Sequence, residues 1–145
     1  MMTTPLSLSL RYRSHVVGSG RVNETVAGNA MHGHPKLVTP LVDKAPGGIL
    51  LQSVERELRP ILEEWVASVP LVLQRCHGIR EYTEGGYLKR HIDWPLSHVI
   101  AVIINLAQDV TEPWPLVIED HEGLEHEVIM KPGEMVLYTL RTTLT

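Results

Sequence analysis

The chain reads as an α+β protein, mainly β, in which one helix packs on mostly antiparallel sheet. Three observations carry this reading. Across residues 51–66 apolar side chains recur at spacings of mostly three and four, which is the period of one helical face. After Pro70 the pattern becomes short β-type segments bounded by Gly, Pro and Asp turn residues, about seven of them. The turns between the later segments are short, so successive strands are expected to pair antiparallel, in a sandwich or barrel packed by the helix.

Residues 1–48 sustain no helical period and are punctuated by Gly18, Gly20, Gly28, Gly33, Pro35, Pro40 and Pro46. They are expected to be irregular, with Leu37-Val38 and Leu41-Val42 as candidate edge strands. Gly47-Gly48 marks a turn. The helical stripe is Leu51, Val54, Leu58, Ile61, Leu62 and Trp65. It should be buried, with Glu55, Arg56 and Glu63 facing water. Ser53 reads as the N-cap. Pro60 removes an N–H and crowds the preceding turn, which predicts a kink or two short helices. Pro70 closes the segment.

The expected strands follow in order. Leu71-Val72-Leu73 is the first, and residues 78–82 the second. Gly85-Gly86 turns into residues 87–93. Residues 99–106, rich in Val and Ile with no Gly or Pro, read as a central buried strand. Residues 114–119 and 124–130 form a hairpin around Asp120-His121-Glu122-Gly123, with Gly123 supplying positive φ. Pro132-Gly133-Glu134 turns into the last strand, Met135-Val136-Leu137-Tyr138.

At 145 residues the chain fits one domain with a real core. Its 13 basic and 17 acidic residues give a net charge of -4, which argues against a nucleic-acid or anionic-membrane surface. The longest apolar run, residues 99–104, is far short of the roughly 20 residues that span a bilayer. Cys76 is the single cysteine, so no internal disulfide forms. Residues 1–23 are acid-free and rich in Ser, Thr and Arg. That is compatible with an organellar transit peptide, against the plainer reading of a frayed terminus.

The chemistry concentrates in Tyr82-Thr83-Glu84-Gly85-Gly86-Tyr87-Leu88-Lys89-Arg90-His91-Ile92-Asp93. On a strand, His91 and Asp93 would share one face. An imidazole and a carboxylate side by side are two thirds of a facial triad, the arrangement that holds non-haem Fe(II) with positions left open. Without context, His-x-Asp is more often a solvated surface pair. The apolar strand after it and the Gly133–Tyr138 turn-strand supply that context, matching the element order of a small double-stranded β-helix. The other histidines read more simply. His121 and His126 flank a hairpin turn and should face solvent, His98 is a loop residue, and His32-x-His34 lies in the irregular segment. Cys76 and His77 are adjacent, so on a strand they point apart and cannot converge as a nucleophilic pair. Trp65 and Trp114 read as core or interface aromatics, and Trp94 as packing or the wall of a substrate groove.

The chain resembles the Fe(II)- and 2-oxoglutarate-dependent dioxygenases, within them the prolyl 4-hydroxylase-like group. The resemblance rests on Gly78-Ile79-Arg80-Glu81-Tyr82, on Tyr82-x-x-Gly85 followed by Leu88-x-x-His91-x-Asp93, on Val99-Ile100-Ala101-Val102-Ile103-Ile104-Asn105, on Trp114-Pro115-Leu116, and on Pro132-Gly133-Glu134-Met135-Val136-Leu137-Tyr138. It covers residues 51–138. It implies a partial double-stranded β-helix of jelly-roll or cupin type over residues 49–145, following an irregular segment at 1–48. It implies His91 and Asp93 as iron ligands and Tyr82 as a lining residue of the cosubstrate pocket. Fe(II), 2-oxoglutarate as cosubstrate and ascorbate as supporting reductant follow from the same resemblance. So does a peptidyl or small-molecule substrate hydroxylated at an unactivated C–H bond.

Two departures qualify it. Leu88 stands where many members have a second tyrosine. The family's distal His, and the basic residue beyond it that pairs with the far carboxylate of 2-oxoglutarate, should follow the last strand. Here Tyr138 is followed by Thr139-Leu140-Arg141-Thr142-Thr143-Leu144-Thr145, no His follows His126, and Arg141 comes too early to match. The expectation is a C-terminally truncated oxygenase domain with little or no turnover, lacking a cosubstrate anchor that contributes about 1.5–3 kcal/mol. Two other classes stand beside it: a non-catalytic fragment or binding module, and a different metal enzyme, such as a Zn hydrolase, using His91, Asp93 and His121 or His126.

Overall fold

The computed structural model describes residues 2–3, 22–23, 31–32, 36–39, 49–76, 79–82, 84, 86–88, 90–93 and 98–139. Among them the architecture is one helix with antiparallel strand pairs. The elements in chain order are β1 Met2–Thr3, β2 Val22–Asn23, β3 Met31–His32, β4 Lys36–Thr39, α1 Ile49–Trp65, β5 Ile79–Glu81, β6 Tyr87–Leu88, β7 Ile100–Ile104, β8 Leu116–Glu119, β9 Glu125–Val128 and β10 Glu134–Thr139. No helix of the described residues is long and apolar enough to cross a membrane. The chain divides into two compact units, Leu10–His91 and the combination of Met1–Ser9 with Ile92–Thr145.

In the Leu10–His91 unit, α1 begins at Ile49, one turn earlier than the Ser53 cap predicts. Ser53 therefore sits inside the helix and is buried rather than capping it. Pro60 is accommodated within one 17-residue helix instead of splitting it. The apolar stripe is real: Val54 and Leu58 are buried, and Ile61 and Leu62 half-buried. Its C-terminal end is not, because Trp65 is exposed. On the outer side Arg56 is exposed, Glu55 pairs with Arg59 one turn on, and Glu63 is half-buried for a reason given next.

The helix ends in a Schellman arrangement. The Ser68 N–H donates to the Glu63 carbonyl at 2.7 Å and the Ala67 N–H to the Glu64 carbonyl at 3.2 Å. Ala67 and Ser68 take φ of 57° and 64°, left-handed backbone that glycine usually occupies at this position. Beyond it, the strand expected at Leu71-Val72-Leu73 does not form. Side chains from α1 occupy the backbone groups it needs. The Leu71 N–H donates to Glu63 Oε1 at 2.9 Å, and Arg59 Nη1 donates to the Leu71 carbonyl at 2.8 Å.

The strands of this unit form a three-stranded sheet, β2-β4-β5, and a separate pair, β3-β6. Among the described residues before 49 there are four strands, β1 to β4, with Leu37-Val38 inside β4, while Leu41-Val42 lies outside the described residues. The β4–β5 ladder matches Leu37 to Arg80 and then Thr39 to Ile79, a one-residue bulge at Val38. Ile79 is buried.

The second unit centres on a three-stranded antiparallel sheet in the order β1-β10-β7. The β10–β7 register runs from Met135 opposite Ile104 to Thr139 opposite Ile100. Met135, 1% exposed, is the most buried apolar side chain among the described residues. The central strand is therefore β10. The apolar run read as a central buried strand is β7, which among the described residues has one neighbour and is half-buried along its length. Met2–Thr3, from a segment read as a frayed terminus, takes the other side of β10. The β8–β9 hairpin forms as expected, with Leu116 opposite Val128 and Glu119 opposite Glu125.

Candidate functional site

β6 stops at Leu88, and residues 91–93 lie in no strand. The partner of β6 is the two-residue strand β3, so the ladder is too short to carry alternation as far as His91. The shared strand face expected for His91 and Asp93 is thus not formed. The chain itself limits residues two apart to about 7 Å between Cα atoms. His91 is exposed and is the last residue of one unit, whereas Asp93 is half-buried and belongs to the other.

Asp93 is engaged from the sheet. The Tyr138 hydroxyl on β10 donates to Asp93 Oδ2 at 3.2 Å, across 45 positions of sequence. This is a long contact for O–H···O, whose usual range ends near 3.0 Å. Burial, and secondarily the charge and hydrogen bond of Asp93, push the Tyr138 hydroxyl above the ordinary tyrosine range. It therefore remains a donor at any ordinary pH. Nothing in the local sequence pattern marks Tyr138 for this role, because the contact depends on where β10 lies.

Tyr82 directly follows β5 and is half-buried in the Leu10–His91 unit. Leu88 ends β6 and is half-buried. Trp94, His34, His77 and Arg141 lie outside the described residues, and for His32 only its place in β3 is described. His98 is a half-buried loop residue, and Cys76 is half-buried and in no disulfide. Trp114, read as a core or interface aromatic, is exposed and so is not in the core.

The two later histidines are exposed, as hairpin residues should be, and both have other partners. His126 Nε2 donates to Asp120 Oδ2 at 2.7 Å, and His121 Nε2 shares a hydrogen bond of 2.9 Å with Thr139 Oγ1. Asp120 organises the turn. Its Oδ1 accepts the N–H groups of Glu122 at 2.8 Å and Leu124 at 3.0 Å, an Asx turn. The His126 hydrogen bond, then the two backbone donors, hold the Asp120 carboxyl down to about 2. Gly123 takes the expected positive φ of 84°.

Among the described residues, no group of three His, Cys, Asp or Glu side chains is placed to hold a metal ion. His91 and Asp93 have the donor chemistry of two facial-triad positions, and the described residues do not supply the third. No protein-family model matches this chain, and no curated protein or solved structure is significantly similar to it.

Proposed function

We propose that this chain belongs to the lineage of iron- and 2-oxoglutarate-dependent oxygenases of prolyl 4-hydroxylase type, with a double-stranded β-helix as its parent fold. His91 and Asp93 are the metal ligands in this reading, and Tyr82 lines the cosubstrate pocket. Iron and 2-oxoglutarate, when bound, supply the oxidising chemistry for C–H hydroxylation; the protein binds and orients. The observation that supports the reading most is tertiary. The motif pieces at residues 99–105 and 132–138 pair through β7 and β10, and Tyr138 of β10 reaches the Asp93 carboxylate. Three separated parts of the motif thus meet within one unit.

The reading makes a polypeptide of this sequence a weak or silent enzyme, because His91 and Asp93 are two ligands where three are needed. The test is succinate release with saturating Fe(II), ascorbate and 2-oxoglutarate, run beside a longer polypeptide that adds strands with a distal His and a following basic residue. Succinate from the longer polypeptide alone supports the reading. Iron-dependent succinate from this sequence alone makes His121 and His126 the first residues to mutate for the missing ligand. Fe(II) or Co(II) affinity that is the same in the chain and in His91→Ala would remove the site from His91 and sink the assignment.

A further inference from the structure

We infer that the β8–β9 hairpin is a strap across one face of the β10–β7 ladder, hinged at its base and latched at its tip by the His121–Thr139 hydrogen bond. The inference goes beyond the oxygenase reading and does not depend on it.

Two hydrogen bonds fix the hairpin at opposite ends of the ladder. At its base, Asn105 Nδ2 donates to the Met130 carbonyl at 3.0 Å, and Asn105 directly follows the end of β7 where Ile104 lies opposite Met135. At its tip, His121 Nε2 shares the 2.9 Å bond with Thr139 Oγ1, at the end where Thr139 lies opposite Ile100. The lengths agree, since at about 3.4 Å per residue Ile100 to Asn105 spans about 17 Å and Leu124 to Met130 about 20 Å. The hairpin therefore runs along the ladder from one end to the other. Alternation puts Thr139 on the same face of β10 as Leu137 and Met135, so the tip is bonded to the face that carries Met135. Strand neighbours shield the edges of a strand and leave its faces open, yet Met135 is buried. The hairpin has a matching side. Leu116 pairs with Val128 across it, and Leu116, Ile118 and Val128 are half-buried, whereas Val117 and Glu127 on the other side are exposed.

The two ends are held unequally. At the base the Asn105 N–H also donates to the Glu134 carbonyl at 2.9 Å, and its carbonyl accepts the Gly133 N–H at 2.7 Å. The tip is held to β10 through one exposed pair of side chains. Within the hairpin, Asp120 binds the Glu122 and Leu124 N–H groups and His126, so the tip is stapled to itself. The hairpin thus lifts as one body, with the tip leaving first and the base acting as the hinge. Lifting uncovers the apolar face at Met135 and Leu137.

The experiment reads exposure of Met135 in the full chain. Dilute hydrogen peroxide converts an accessible methionine to its sulfoxide, and the rate at Met135 is followed by peptide mass spectrometry. Thr139→Val removes the hydroxyl at nearly constant shape, and His121→Ala removes the imidazole. Each should speed Met135 oxidation about two- to tenfold, the effect of one ordinary hydrogen bond on an opening equilibrium. The double variant should be no faster than either single one, because both remove the same bond. His121→Gln, which keeps a polar atom at a similar reach, should restore much of the protection. Amide exchange along β7 and β10 should be unchanged in all of them. Unchanged Met135 oxidation in both single variants overturns the inference. So do additive effects in the double variant, which would make the two residues independent. Faster exchange along β7 and β10 in step with Met135 oxidation overturns it too, because the whole unit and not the strap would then be opening.

Discussion

The two compact units hold their chain by different means. In the unit of Met1–Ser9 and Ile92–Thr145, backbone pairs with backbone: β10 is bonded on both sides and its Met135 is buried, while the β8–β9 hairpin turns on Gly123 and the Asp120 side chain. In the unit of Leu10–His91, the stretch after α1 is held by side chains. Glu63 and Arg59 take the N–H and C=O of Leu71, and the helix reverses through Ala67 and Ser68 in left-handed backbone without a glycine. The difference teaches where local sequence is a reliable guide. A ladder and a glycine turn announce themselves in pattern and residue type. A side-chain clamp on a backbone group eight or twelve residues away does not.

The largest expected effect tests whether the β10 centre carries its unit. Met135→Ala should cost about 2–5 kcal/mol, the range for truncating a buried Met, read as a shift in the denaturant midpoint at constant slope. A loss under about 1 kcal/mol would mean that burial at Met135 contributes no more than an ordinary surface site.

The two chain reversals should respond with opposite sign to opposite substitutions. Ala67→Gly should stabilise by about 1 kcal/mol, because it relieves a left-handed alanine. Gly123→Ala should destabilise by about 1–2 kcal/mol, although a Cβ there meets nothing within 4 Å, since the φ of 84° is strained for any L residue. Thermal denaturation of the pair decides it. Shifts of the same sign would remove backbone strain as the cause.

The clamp is expected to be smaller. Glu63→Ala removes the acceptor of the Leu71 N–H. The site is part-buried, so the cost should be about 1 kcal/mol, below the full range for a charged hydrogen bond. Hydrogen exchange at Leu71 should speed up while β7 and β10 stay protected. Unchanged protection at Leu71 would show that the N–H is held otherwise.

The smallest effect is confined to the hairpin tip and depends on pH. The folded Asp120 carboxyl is lowered from 3.8 to about 2, so its contribution is present above the unfolded value and is lost as pH falls through the folded one. The Glu122 and Leu124 amide resonances should hold their positions down to about pH 4 and move toward pH 2. His126→Ala removes the largest cause of the lowering, so the movement should begin at higher pH. Identical profiles would take His126 out of the account.

Much of the fold was legible in residue order. The helical stripe through Val54 and Leu58, the β8–β9 hairpin with Gly123 at positive φ, and the turn into β10 all form where pattern and turn chemistry put them. These features depend on interactions within a few residues. The sequence motif also located His91 and Asp93 as the candidate donors, since two residues joined through one cannot lie far apart.

Tertiary structure decided what depends on distant partners. An apolar run such as Ile100–Ile104 has the same composition whether its sheet places it at the centre or beside one neighbour, and here Met2–Thr3 made β10 the centre instead. Ser53 looked like a cap from its own neighbourhood, but the helix that begins at Ile49 buried it. Leu71 lost its strand to Glu63 and Arg59. Asp93 acquired Tyr138 from 45 residues away. Except at Ser53, where the helix starts only four residues earlier, the deciding contact spans a separation that no local period encodes, so it exists only once the chain has closed the loop between its partners.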